Sequence, residues 1–334
     1  MKKKILLVQP IVPHYRVKIF SNLAKYVDLT LANEDLNNQK GFISKKISKN
    51  IKIIKSKKIN FFLFFQTNII KNIIKNKYDK VILSCDIKNM TNFFVLILCK
   101  ILNIKCFIWG HGLFGKSKKI PKSLIYRFYY FFINYFITKY IAYNKYSKDT
   151  LLKVLGKKKI IVIDNTLEKK FIFIKKNYKE KNILFVGRLR NRCMLNILIK
   201  AMVIINRKFK NIRLEIIGYG NLFDEYKSLA KKLNINCIFY KQKTNFKKIS
   251  KKCFLGVYPG DAGLSVVEYM MLNLPVIKHD IMDEHMGPEA SYIRNNYNGL
   301  TYKKGSVEDL ANNILKIFLN KKLRKKFSIN SYKT

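Results

Sequence analysis

The segment Val257-Tyr-Pro-Gly-Asp-Ala-Gly-Leu-Ser-Val-Val-Glu268, closed by Leu274-Pro-Val-Ile-Lys-His279, constrains the fold more than any other part of the chain. Phe254 to Tyr258 is a short apolar run suited to a buried parallel strand. Pro259 to Gly263 interrupts it, and Leu264 to Leu272 carries helix-compatible apolar residues before a second strand. Strand, glycine loop, helix and strand in this order leave backbone N–H groups at a helix N-terminus. There the positive end of the helix dipole favours an anion such as a phosphate. Glu268 falls about one turn inside that helix, within reach of hydroxyls on whatever carries the phosphate.

The same grammar runs through the chain. Short apolar runs alternate with longer amphipathic segments, which predicts an α/β fold with parallel sheets. In the first half, strands are predicted at Lys4 to Val8, Leu29 to Ala32, Val81 to Ser84, Cys106 to Ile108, Tyr140 to Ala142 and Ile160 to Ile163, with helices at Arg16 to Ala24 and Thr91 to Leu102. In the second half, strands at Asn182 to Val186, Arg213 to Ile217, Asn236 to Tyr240, Phe254 to Tyr258 and Pro275 to Lys278 alternate with helices at Met194 to Arg207, Leu222 to Leu233 and Leu264 to Leu272. A polar, lysine-rich stretch separates the halves. The expected organisation is one domain over 1–165, a linker over 166–181 and a second domain over 182–334. These are two Rossmann-like domains facing across a cleft, with ligands at the carboxyl ends of the strands.

Several notable residues fall just after predicted strands. Gly187-Arg188-Leu189 follows Val186, and Gly218-Tyr-Gly220 follows Ile217. Trp109-Gly-His111-Gly112 follows Ile108, and the glycines on both sides of His111 let backbone approach a ligand closely. Pro13-His14-Tyr15-Arg16 follows the first strand, where helix capping and packing explain His14 and Arg16 as well as ligand contact does. His279 and His285 enclose Asp280, Asp283 and Glu284. Their spacing matches no tight ligand motif, so no metal is expected.

Together these motifs resemble the retaining nucleotide-sugar glycosyltransferases with the GT-B fold, of the group 1 or family four type. The Pro-Gly-x-x-Gly-Leu form of the loop is similar to members that build polysaccharide, O-antigen or lipooligosaccharide. The resemblance implies donor binding by Gly187, Arg188, Arg192, Gly218, Gly263, Leu264, Ser265 and Glu268, with Glu268 on the nucleotide ribose. It implies catalytic work for Arg188, His111 and Asp261, and an acceptor-side place for His14 and Arg16. Two positions depart from the family pattern. Gly260 stands where the first glutamate is usual, with Asp261 beside it, and Cys193 stands where the family has a lysine, with Arg190 and Arg192 beside it. The activity implied is transfer of a hexose or N-acetylhexosamine from a nucleoside diphosphate sugar, as co-substrate and with no further cofactor, to a lipid-linked or surface glycan acceptor.

Charge adds a partner. The 67 basic and 20 acidic residues give a net charge of +47, a field that favours polyanions. In the first half, basic residues interleave with aromatics in Tyr126 to Tyr140 and Ile59 to Phe65. That mixture suits an anionic membrane surface, where rings settle at headgroup level and lysines meet lipid phosphates. An ordinary buried helix explains Tyr126 to Tyr140 equally well. No uncharged apolar run is long enough to span a bilayer, and Met1-Lys-Lys-Lys leads directly into a strand, so neither a transmembrane helix nor a signal peptide is expected. The six cysteines form no Cys-x-x-Cys pair and read as free thiols of a reducing cytosol, at whose inner membrane face the enzyme is expected to sit. Two other classes stay open. A nucleotide-sugar epimerase of the same fold would not need the cationic aromatic surface, and a noncatalytic nucleic-acid-binding protein would not need the glycine loop with Glu268.

Overall fold

The computed structural model describes residues 1–13, 15–34, 50–60, 63–113, 124–167, 179–240 and 246–334. The chain divides into two compact units, Met1–Glu168 and Lys169–Thr334. Of the sequence expectations, His14 and residues 168–178 of the proposed linker lie outside the described residues.

The first unit is a parallel sheet built from β1 (Lys4–Val8), β2 (Asp28–Glu34), β3 (Lys52–Ser56), β6 (Lys80–Ser84), β7 (Lys105–Gly110), β8 (Lys139–Ala142) and β9 (Ile160–Val162), in the order β3-β2-β1-β6-β7-β8-β9. A two-stranded antiparallel ribbon, β4 (Lys58–Asn60) with β5 (Phe64–Gln66), is separate from it. Central β1 shows why the sheet is parallel and covered. Leu6 and Val8 belong to one buried cluster while Ile5 and Leu7 belong to another, so both faces of the strand are apolar. Helices Val17–Leu23, Ile69–Lys75, Met90–Ile101, Leu124–Phe136 and Lys145–Leu151 lie between the strands in sequence.

The second unit carries β10 (Asn182–Val186), β11 (Arg213–Ile217), β12 (Cys237–Tyr240), β13 (Cys253–Tyr258), β14 (Val276–His279) and β15 (Gly299–Tyr302), all parallel, in the order β12-β11-β10-β13-β14-β15. This is the Rossmann strand order, with the reversal between β10 and β13. Tyr269 fastens that seam. Its hydroxyl accepts from the Val186 N–H at 2.8 Å and donates to the Val257 carbonyl at 3.2 Å. Gly256 makes room for it, because a Cβ there would lie 2.5 Å from the Tyr269 ring. Two elements escaped the sequence reading at the C-terminal end. Helix Val307–Leu319 is capped by Ser306, which accepts from the Asp309 N–H, and helix Lys321–Lys333 is capped by Asn320, which accepts from the Leu323 N–H. Residues 296–298 form a turn that opens directly into β15 at Gly299.

Candidate functional site

At the seam of the second unit, three loops pack backbone on backbone. A Cβ on Gly218 would stand 2.0 Å from the Gly187 carbonyl oxygen, and one on Gly260 would stand 2.1 Å from that of Arg192. Glycine at these positions is therefore a packing requirement. Gly260 lies where the family resemblance expects a glutamate, and nothing larger fits between it and Arg192–Cys193. Gly263 differs from them. The nearest atom to its Cβ position is Met286 Cβ at 3.6 Å, so the space beside it is open.

The N–H groups of the glycine loop divide accordingly. Asp261 N–H donates to the Arg192 carbonyl at 2.9 Å, and Ala262 N–H donates to His285 Nδ1 at 3.1 Å. These two brace the loop and do not point into open space. Among the described residues, those of Gly263, Leu264 and Ser265 meet no acceptor. They open the helix Ser265–Met271, whose first turn carries half-buried Glu268.

Asp261 is a hub. Its Oδ1 accepts from Lys304 Nζ at 2.8 Å and its Oδ2 from Arg192 Nε at 2.9 Å, and Lys304 continues to Glu284 at 2.6 Å. Burial pushes the Asp261 carboxyl up, but Lys304 and then Arg192 outweigh it, so the net shift is downward. Buried His279 brings Nε2 within 3.4 Å of Asp261 Oδ1, at an angle that leaves both ring nitrogens without a hydrogen bond. The His279 ring stacks on His285, with centroids 3.8 Å apart. His285 Nδ1 accepts from Ala262, so its proton sits on Nε2, 3.1 Å from the His279 carbonyl. Desolvation, with cationic neighbours, lowers His279 to about 4 and His285 to about 2. Lys278, 3 % exposed, reaches the His279 carbonyl at 3.3 Å and His285 Nε2 at 3.4 Å, and burial lowers its ammonium to about 8.

On the facing loop, half-buried Arg188 lies with its guanidinium 5.9 Å from the Tyr219 ring. Arg190 Nη2 meets Met286 Sδ at 2.9 Å, which places it beside the open space at Gly263, and its buried Nε has no partner among the described residues. Cys193 is fully buried, with Sγ 3.7 Å from the Tyr226 hydroxyl, so the position that resembles the family's lysine belongs here to the core. Arg192 keeps a 59 % exposed side chain tied to Asp261.

In the first unit, Arg16 is 7 % exposed and donates to Gln9 Oε1 and to the Tyr143 hydroxyl, both at 2.8 Å, under the Trp109 ring at 4.5 Å. These contacts build it into the domain, the packing role that the sequence allowed beside an acceptor-side one. His111 packs its ring 4.4 Å from Tyr143 and keeps an exposed surface. Desolvation, then the Arg16 charge, lowers it to about 4. The imidazole is therefore uncharged at neutral pH. The glycines beside it serve packing: a Cβ on Gly110 would lie 2.6 Å from Cys85 Cβ, and Gly112 has φ +75° with the Ser147 carbonyl 2.8 Å from its Cβ position.

Sequence reasoning missed Lys278, Lys304, Met286 and Arg190's contact with it. A lysine closing the apolar run Pro-Val-Ile was the available sign for Lys278. Nothing local marks Lys304.

Two Rossmann-like domains, one with a glycine loop at its strand reversal, define a doubly wound α/β architecture. The family model for glycosyl transferases group 1 matches residues 167–334, half of the chain, and the chain belongs to that family. Two uncharacterized glycosyltransferases of Methanocaldococcus jannaschii are similar. One is 28% identical over 163 residues, covering 47% of this chain and 41% of the relative. The other is 27% identical over 244 residues, covering 64% and 58%. The chain thus spans less than two thirds of these relatives' length. Among solved structures, Anabaena Alr3699/HepE in complex with UDP aligns with a TM-score of 0.72 at 13% identity, over 99% of this chain and 93% of its own. The lipopolysaccharide outer core galactosyltransferase WaaB, apo form, aligns at 0.68 and 16%, over 98% and 95%. At these identities the likeness is one of fold, and the fold is GT-B.

Proposed function

We propose that the protein transfers a hexose or N-acetylhexosamine, with retention, from a nucleoside diphosphate sugar to a glycan acceptor on a lipid carrier at the inner face of the cell membrane. The observation that carries this is the open end of the second unit's seam. Three N–H groups that meet no acceptor among the described residues, the space beside Gly263, Glu268 in the first helical turn and the cation Arg190 gather there, with Arg188 on the same loop as Arg190. Such a set is complementary to a diphosphate followed by a ribose. That structures of Alr3699/HepE hold UDP and UDP-glucose supports the same class of ligand.

In this reading the anomeric C–O bond breaks with its electron pair passing to the diphosphate, and the acceptor hydroxyl oxygen bonds to the anomeric carbon and passes its proton to the departing diphosphate. Charge develops on the departing diphosphate, so Arg188 and the open N–H groups do most of the catalytic work. Gly187 and Gly218 hold the loop backbones together, and Leu264 and Ser265 supply N–H groups. Glu268 accepts from ribose hydroxyls. Asp261 and Arg192 act as positioning residues through the Lys304 network. His111, a neutral imidazole of the first unit, is assigned to the sugar. No cofactor is required by these steps.

The test is incubation with a panel of nucleotide sugars while nucleoside diphosphate release is followed, with and without a lipid-linked glycan. Release with one donor, raised by acceptor, is expected. Binding of no nucleoside diphosphate by calorimetry would sink the reading, and isomerised donor without any acceptor would indicate an epimerase.

A further inference from the structure

We propose that the outward face formed by helices Met90–Ile101 and Leu124–Phe136 is a docking surface for an anionic lipid bilayer. The inference rests on the reading of a membrane-borne acceptor and names the part of the molecule that meets the membrane.

The Leu124–Phe136 helix divides along its length. Tyr129, Tyr130, Ile133 and, just beyond its end, Ile137 are buried in the core. The opposite stripe carries Phe128 at 63 %, Phe131 at 72 % and Tyr135 at 64 % exposure. The spacing of three and four residues puts these rings on one face. Helix Met90–Ile101 repeats the pattern with Phe94, Ile97 and Ile101, of which Ile101 is 74 % exposed. The two stripes are joined. Phe132 lies 6.3 Å from Phe128 and 5.1 Å from Phe93, and Lys100 Nζ sits 5.7 Å from the Tyr135 ring. Large apolar side chains gathered on one surface in this way mark an interaction site.

Charge decides the occupant. No Asp or Glu occurs from Ile87 through Lys148, a stretch with ten Lys and one Arg. Lys100, Arg127 and Lys139 are exposed among or beside the rings. A second copy of this chain would bring the same cationic face and be repelled. A bilayer with anionic headgroups supplies both the negative charge and the apolar depth that protruding aromatics enter. No helix among the described residues is long and apolar enough to cross a membrane, so contact through this face is in the plane of the interface.

The full chain is tested by co-sedimentation with vesicles of equal parts phosphatidylglycerol and phosphatidylcholine, against vesicles of phosphatidylcholine alone. Binding to the anionic vesicles is expected, weakened but not abolished by high salt. Phe128→Ser with Phe131→Ser should reduce partitioning at least about 10-fold and remove the salt-resistant part. Lys100→Gln and Arg127→Gln should each reduce it about fivefold at low salt. All four sites are exposed, so amide exchange of the core should be unchanged. Equal binding to both vesicle types, no binding to either, or variants that partition like the parent would overturn the proposal. So would concentration-dependent dimerisation abolished by the two serine substitutions, which would assign the face to a second copy. Nucleoside diphosphate release from soluble donor separates the two readings. If release persists while vesicle binding fails, only the docking face falls. If vesicle binding persists while release and nucleotide binding fail, the transferase reading falls.

Discussion

In the first domain the buried guanidinium of Arg16 is held, among the described residues, by the Gln9 amide oxygen, the Tyr143 hydroxyl and the face of Trp109. In the second domain Lys304 and Arg192 converge on the carboxylate of Asp261, backed by the stacked pair His279 and His285. Both arrangements order a loop after a strand, but only the second cancels charge locally. Neutral partners leave the Arg16 charge in the field of its domain, in keeping with the more cationic first half of the chain. Carboxylate and imidazole partners make the second network responsive to protons.

The sharpest way to break this contrast is acid. His279 and His285 have folded-state pKa values lowered from 6.5 to about 4 and about 2. An unfolded chain therefore takes up their protons first. Stability contributed by the neutral rings is fully present well above about 6.5 and is lost progressively as pH falls through 4 toward 2, by an amount on the order of several kcal/mol. Hydrogen exchange resolved by domain should show the second unit opening in this window before the first. Simultaneous loss of both would remove the contrast.

At the site itself, Arg188→Ala should lower the single-turnover rate about 100-fold or more while nucleoside diphosphate binding changes little, since the charge it meets develops as the bond breaks. A near-normal rate would take Arg188 out of the mechanism. Glu268→Ala should instead weaken the ground state, by roughly 1.5 to 3 kcal/mol of nucleoside diphosphate affinity in calorimetry. Unchanged affinity would refute its assignment to the ribose. The smallest effect is expected from Arg192→Ala. An ion pair this exposed contributes about 0–1 kcal/mol, so a positioning role predicts donor turnover within about fivefold of the parent. A loss as large as that of Arg188→Ala would show that Arg192 meets the diphosphate directly.

Much of the architecture was legible because burial on both faces leaves a plain mark. Lys4–Val8, Asn182–Val186 and Arg213–Ile217 are apolar runs opened by polar residues, and their ends agree with the observed strands. β3, at the sheet edge, reads Lys-Ile-Ile-Lys-Ser with three exposed residues, and this partial burial gives no continuous apolar run. β15 is four residues opening on a glycine. The glycine loop was legible as a motif, whereas its bracing was not. Lys304 lies 43 residues from Asp261 in sequence, and only the successive parallel pairing of β13 with β14 and of β14 with β15 brings their loops together. The helix Leu124–Phe136 supported two readings because it has two apolar sides. One is core, and the other is surface.

The placement of Trp109 has a spectroscopic consequence. It is the single tryptophan of the chain. Its indole sits 4.5 Å from the Arg16 guanidinium, with Phe20 at 6.5 Å and Tyr143 at 5.7 Å, and its own Nε1 is buried without an acceptor among the described residues. Emission excited at the red edge of the indole band therefore reports one half of the molecule alone. Its wavelength is set by a nearby cation and by shielding from water. A shift of that emission on adding nucleotide sugar would be a signal from the first domain, although the residues assigned to the nucleotide belong to the second. The native chain thus carries its own optical label for watching one domain answer events in the other.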